Sequence, residues 1–594
     1  MGRKSRDKRE RKVAGKPSPA IARREKSYGL WLQQRGLRLG TSIEEIEREL
    51  ESNGVDLVRQ RLLATHNVRM VGCGGLPPEY LAECWSALKP SFFCYLALRQ
   101  AGHDVDDHPA FFDTWPGELR WGLDTIQQSV RLLFCGQITG AALLARMQLE
   151  RWSENRAYNA RVQRREGEAP EEFAERVWSH SALDSFGVNK GDEHLRRDGR
   201  TVSPRHVMMT LNKVAHAEEL TVVTEWANAA FPAMPPSAVS AVRVIGDALF
   251  LAATQIRICI VQLAMEKGVA PAVDLALKEF PSLPKFAMSP LKPALWPANL
   301  VLIQEGPWEP VKQMASWFEK VLAGERPAGR LYNDAEMIGL AFNHFRNRAI
   351  RWADAAFKDE ADKVGPLNQD NLFHLETPTI MTSEMAAVVA TWLPALSPMR
   401  AAAGSIADAI RSAYWLWLED DMRSMAALRV VLEQTARLRV WRLKPHRAKR
   451  LESRGNPASW LGEAGWKRLW ALNRALGELT HYRTDANWGG AFELLVLLNV
   501  EASKDEAPFT ARRHALETVT RLASREVRHA ARTLSPRVAD AFDALAEEIF
   551  VGGVEADAKV DAYLNTAHTY KKYELSSKFL RKPRPWPPTR VSPS

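Results

Sequence analysis

The chain is 594 residues long, 46% hydrophobic and 26% charged, with a formal net charge of +10. That length exceeds what one hydrophobic core serves, so two to four domains are expected, and the composition excludes collagen-like and broadly disordered classes. Five scattered cysteines without a C-x-x-C pair exclude a secreted disulfide scaffold and a zinc site.

The charge is unevenly placed. Residues 1–27 hold eleven Lys/Arg against three acids, residues 571–594 hold seven against one, and the body between them is left at −4. The basic ends are expected to attract nucleic acid by counterion release or to recruit an acidic partner, without sequence specificity. The first residues lack an apolar core, so no secretory signal is read there. No run reaches the ~18–20 apolar residues of a membrane helix. The nearest candidate, Ala238 to Ala264, is interrupted by Arg243, Asp247 and Arg257. No membrane association and a cytoplasmic setting are the expectations.

In chain order, residues 1–27 read as a disordered basic arm, with Pro17 and Pro19 opposing a continuous helix. Residues 28–114 read as an N-terminal helical region. Ser42 and Glu45 form a capping box for a helix from Ile43 to Ser52, and Leu81, Trp85, Leu88 and Phe92 mark another. Residues 115–270 carry the pattern of a helical bundle, and residues 386–550 repeat it. Ile126–Arg131 matches Ile406–Arg411 at an offset of 280, and Leu211–His216 matches Leu476–His481 at an offset of 265. Between these landmarks each stretch has an apolar helix with an Arg four residues before a Glu: Arg146 and Glu150, then Arg429 and Glu433. Asp420 and Asp421 read as the N-cap of the second such helix. Each stretch closes with a proline-initiated helix, at Pro236 and at Pro508. The period is too long for a solenoid, so a domain duplication is expected, each unit the size of a four- or five-helix bundle. Between them, residues 271–385 form a connector with helices. Seven prolines from Pro281 to Pro310 oppose a long helix there, and Trp296 and Trp308 suit packing. Strand signals are weak throughout, so the fold class is all-α. Residues 551–594 end in a basic polyproline-like tail, Arg581 to Pro588.

Residues four apart on a helix share a face, so Arg146 reaches Glu150 and Arg429 reaches Glu433. The plainer reading is an intrahelical ion pair; the sharper one joins them to His216 or His481 in a polar cluster inside the bundle. The histidines are either structural, bonded to a backbone carbonyl or an acid, or they do acid–base work. No Walker loop, G-x-G-x-x-G, G-x-S-x-G or H-E-x-x-H occurs, so no cofactor is expected. The cluster from His103 to His108 offers oxygen and nitrogen donors, but its place before Pro109 favours a solvated turn over a metal site. Trp415 and Trp417, two apart, cannot share one helix face.

A helix with Ala-x-Leu-x-Arg-x3-Glu, followed by a later helix with Leu-x4-His, resembles the helical bundles of the HEPN superfamily, especially its abortive-infection and uncharacterised bacterial branches. The resemblance covers about 115–265 and 395–545, as two diverged tandem copies. It implies a bacterial RNA-associated protein of stress or phage defence, and a metal-independent endoribonuclease using an Arg-x4–6-His motif from two facing copies. On that pattern Arg474 holds phosphate and His481 is the general base or acid, with Arg429, Glu433, Arg146, Glu150 and His216 around them. Six residues separate Arg474 from His481, which fits; Ala475 stands where a polar residue is usual. The window before His216 holds Met209, Thr210 and Leu211, so the first copy departs from the motif. The alternative is a non-enzymatic helical scaffold whose basic tails recruit nucleic acid or an acidic partner, with a homo-oligomer or a partner protein also open.

Overall fold

The computed structural model describes residues 115–134, 137–159, 162–184, 196–197, 199–216, 236–267, 376–394, 397–418, 422–454, 457–482, 486–503, 508–550 and 552–565, with further helical positions inside 43–51 and 83–94. These residues are 86% helical and 1% strand, so the class is all-α. The arm 1–27, the proline-rich stretch 281–310, the cluster His103–His108, Asp420, Asp421 and the tail beyond Asn565 lie outside the described residues.

The first bundle comprises α1 (Trp115–Phe134), α2 (Ile138–Asn159), α3 (Pro170–Asp184), α4 (Pro204–His216) and α5 (Pro236–Lys267). A two-residue hairpin, β1 (Arg196–Arg197) and β2 (Arg200–Thr201), precedes α4, with Gly199 at φ +76° in its turn. Arg197 reaches from it to Asp247 on α5 at 2.8 Å, and a Cβ on Gly246 would lie 2.7 Å from that guanidinium, so the approach requires glycine. The second bundle comprises α6 (Glu376–Trp392), α7 (Pro398–Leu418), α8 (Ser424–Leu443), α9 (Pro445–Arg454), α10 (Pro457–Glu463), α11 (Trp470–Leu479), α12 (Trp488–Ser503), α13 (Pro508–Arg532), α14 (Pro536–Ile549) and α15 (Glu555–Asn565).

Corresponding landmarks occupy corresponding elements. Ile126 and Ile406 lie on α1 and α7, and the two Arg-x3-Glu pairs on α2 and α8. His216 ends α4, His481 follows α11, and Pro236 and Pro508 open α5 and α13. The packing corresponds too: α2 lies against α1, α4 and α5, as α8 lies against α7, α11 and α13. Two boundaries differ from the sequence reading. Helix α6 runs across residue 385 and packs on α7 and α13, and α15 extends helix past Val551, with Leu564 buried.

Helix α8 is the hub of the second bundle. Fifteen of its twenty residues are buried, because it carries small and aliphatic side chains on every face and other helices surround it. Arg423 precedes it without a side-chain cap, so the cap expected from the two aspartates is not what opens the helix. Lys444 ends it at φ −142°, ψ 59°, where Pro445 removes the next donor and excludes helical geometry before it.

The two bundles share one hydrophobic core, and their seam is reciprocal. The start of α2 lies on α7: Asp408 accepts from the Thr139 backbone N–H at 2.7 Å, and the Ser412 hydroxyl donates to Gln137 at 3.0 Å. The start of α8 lies on α1: Arg423 donates to Asp124 and to Thr125, each at 2.6 Å. The two helices that carry the Arg-x3-Glu pairs, α2 and α8, thus each begin against a helix of the other bundle. The buried Asp408 places a negative charge on the α2 N-terminus, where free N–H groups need acceptors. A Cβ at Gly140 would stand 2.3 Å from the Ser412 hydroxyl. Gly140→Val therefore overpacks the seam and is expected to cost about 2–3 kcal/mol, more than the few tenths valine gains over glycine in helix propensity. A lower melting temperature with unchanged helical circular dichroism checks this.

One stretch within α5, Val239–Ile260, is long and apolar enough to cross a membrane, with 83% of its apolar window buried. It is the interrupted stretch singled out from the sequence, and its burial is that of a core helix. Two of its interrupting charges are paired, Asp247 with Arg197 and Arg243 with Glu83.

Candidate active site at the seam of the two bundles

Histidine 481 stands just past the end of α11, and its Nδ1 lies 3.3 Å from both carboxylate oxygens of Glu150, on α2 of the other bundle. One turn back on α2, Arg146 reaches the same carboxylate at 3.1 Å. The side chains of Arg146 and Glu150 are 12% and 11% exposed and that of His481 is 29% exposed, so the group is lined from within and open at the imidazole.

Local sequence explains the placement. After α11 the chain continues as a tight turn, in which the Thr480 and His481 N–H groups bond to the carbonyls of Gly477 and Glu478. The Thr480 hydroxyl bonds back to Leu476 at 2.7 Å, and Trp488 Nε1 donates to the His481 carbonyl at 2.7 Å. Glu478 accepts from the Asn487 N–H at 3.0 Å, and Asn487 accepts from the Gly490 N–H at 2.9 Å, closing the segment onto the start of α12. Beneath it Trp121, Tyr482 and Trp488 form an aromatic floor, with Trp121 and Tyr482 centroids 4.1 Å apart. Such contacts lock the backbone that carries the imidazole.

The next residue on α2, Arg151, turns away from the open group. It pairs with the buried Glu118 and sits over the Tyr482 ring, while Arg423 covers Trp121 at 5.4 Å. Burial drives the Tyr482 hydroxyl well above the ordinary phenol range, against the pull of Arg151, so it stays protonated. Burial likewise pushes the nearby Cys259 thiol up to about 12, which keeps it un-ionised and unreactive.

The Nδ1 contact with Glu150 suits the tautomer in which Nδ1–H donates to the carboxylate and Nε2 carries the lone pair. Glu150 orients the ring and offsets the charge that develops on it, and Arg146 supplies a guanidinium beside the same position for an anionic group. Nucleophile activation on a phosphodiester uses this set of groups.

The other sequence-selected residues fall elsewhere. Arg429 bonds Glu433 at 2.6 Å, an intrahelical pair, and no contact among the described residues joins it to His481. His216 ends α4, its side chain lying outside the described residues. Arg474 is exposed on α11, seven residues before His481. The helix ends at Leu479 and His481 follows in the turn, and no hydrogen bond among the described residues joins the two. Trp417 is buried. Among the described residues no group of three or more His, Cys, Asp or Glu is placed to hold a metal ion.

Glu118, Asp124, Arg151 and Arg423 escaped the sequence reading. Their helices do carry a signal, since a charge at a core register needs a partner, but nothing local says that the partner is 298 or 299 residues away, as it is for Arg423. Compared with protein-family models, curated proteins and solved structures, the chain matches none.

Proposed function

We propose that the chain is a cytoplasmic bacterial RNA-directed protein of the HEPN-like kind, acting in stress or phage defence as a metal-independent endoribonuclease. One observation carries this reading: His481 of the second bundle meets Glu150 and Arg146 of the first. In the proposed reaction His481 Nε2 takes the proton of an RNA 2′-hydroxyl, and that oxygen bonds to the adjacent phosphorus. The bond from phosphorus to the 5′-oxygen breaks, and the leaving oxygen takes a proton from water. Arg146 stabilises the charge gathering on the phosphoryl oxygens, and Arg474 holds a flanking phosphate.

A second reading has its own support. The Arg146–Glu150 pair is mostly covered and lies where two bundles meet, so it also serves as a polar fastening in a non-enzymatic scaffold. Total RNA incubated with purified protein in chelator separates the two. The nuclease reading expects cleavage leaving 2′,3′-cyclic phosphate ends, abolished by His481→Ala. RNA left intact by wild type under every condition favours the scaffold.

A further inference from the structure

We propose that the exposed face of α9, with Lys444 before it, is an RNA-backbone docking surface within the folded body. The choice of RNA rests on the nuclease reading above. The sequence puts the positive charge at the chain's ends and leaves the body at −4. The structure reveals a local exception. From Arg437 to Arg450 the chain carries seven Arg/Lys and no acid. Lys444, His446, Arg447, Lys449 and Arg450 are all exposed, while Ala448 is buried and Leu451 half-buried, anchoring the helix from its other side.

One nearby acid is occupied by a buried cation, and the other pairs with two cations of the face itself. Glu452 takes Arg437 at 2.6 Å, and Glu463 takes Arg447 at 2.8 Å and Lys444 at 3.5 Å. Buried Glu526 is shared by Arg439, Arg442 and Arg525, so this carboxylate takes up no cation of the α9 face. Lys449 and Arg450 have no acidic partner among the described residues, and with His446 they share one side of the helix. Ten residues of helix measure about 15 Å, the rise of about four phosphates along one strand of a duplex.

The face suits a polyanion better than a protein. A protein interface centres on a cluster of large apolar or aromatic anchors. Here the one strongly exposed apolar side chain is Leu443, and a lone exposed leucine is ordinary surface.

The test uses the full-length protein carrying Lys449→Glu and Arg450→Glu together. Both side chains point to solvent, and an unchanged melting temperature verifies the fold. Binding to a fluorescent oligouridylate is followed across a salt titration. The double variant is expected to bind about tenfold or more weakly near 0.1 M salt, with the slope of log K against log salt shallower by about 1.4, because two phosphate contacts are lost. Equal affinity and slope in wild type and double variant overturn the proposal, as does polyglutamate competing as well as RNA of equal charge, which would assign the face to an acidic protein. Wild type that binds through α9 yet cleaves nothing would remove the nuclease reading and leave this one standing.

Discussion

His481→Ala is expected to lower RNA cleavage by about 10²–10⁴-fold, the usual contribution of a general base, while leaving the melting temperature close to that of wild type. The side chain is partly open and its neighbours are fixed by other contacts, so its removal costs little packing. Glu150→Gln should be nearly as damaging. An amide can donate to Nδ1 and move the ring proton to Nε2, which removes the base although the shape is kept; similar tautomer errors cost up to about 10⁴-fold. Arg429→Ala and Glu433→Gln, whose pair is separate, should leave the rate unchanged. A rate measured on a defined oligonucleotide checks all four. Cleavage retained in His481→Ala would remove this histidine from the chemistry.

The largest stability effect is expected at Glu526. Its side chain is fully buried, yet Arg439 reaches it at 2.7 Å, Arg442 at 2.8 Å and Arg525 at 3.0 Å. Burial alone would raise its carboxyl, but the three guanidinium groups outweigh burial and hold it below the ordinary carboxylate range. Glu526→Ala leaves three buried or half-buried cations facing one another, which should cost about 3–5 kcal/mol. For a bundle of this size that is a fall in Tm on the order of 10 °C. Glu463→Ala, which removes a half-buried acid from the exposed Lys444 and Arg447, should cost at most about 1 kcal/mol. Equal losses in the two variants would mean that the Glu526 cluster is solvated.

Acid sensitivity follows from the same region. Burial lowers His529 below its ordinary value, Glu526 pulls the other way, and Arg442, Arg525 and Arg528 lower it further; burial lowers His514 as well. The folded state therefore binds these protons later than the unfolded state does. Stability is full above the unfolded histidine value of about 6.5 and declines as pH falls below it. Glu526 adds a loss at lower pH, where its carboxylate takes a proton. Melting curves taken from about pH 7.5 down to 5 should fall less steeply in a His514→Leu, His529→Gln variant than in wild type.

Much of the helical framework is legible in the sequence because its signals are local. Proline at the first turn marks the starts of α5 and α13, and the Arg-x3-Glu spacing gives ion pairs at 3.1 Å and 2.6 Å on α2 and α8. The site is legible only in its parts. Glu150 and His481 are each conspicuous, but 331 residues separate them and the contact depends on how two bundles meet. Pattern within one bundle instead suggests Arg429 and Glu433 as companions of His481. The seam reverses that pairing, since α2 begins against α7 and Arg423, just ahead of α8, reaches α1. Helix α9 is hidden for a different reason: a net charge taken over the whole body cancels its run of cations against acids elsewhere. A window confined to residues 437–450 would have exposed it.

A double-mutant cycle on the cleavage rate, with Glu150→Gln, His481→Ala and both together, tests most directly that the two bundles build one site. Groups that work as a unit are strongly non-additive. The double variant should then be no slower than His481→Ala alone, with wild type cleaving RNA in chelator. Multiplicative losses, or a wild type that cleaves no RNA, would contradict a composite site formed by Arg146, Glu150 and His481.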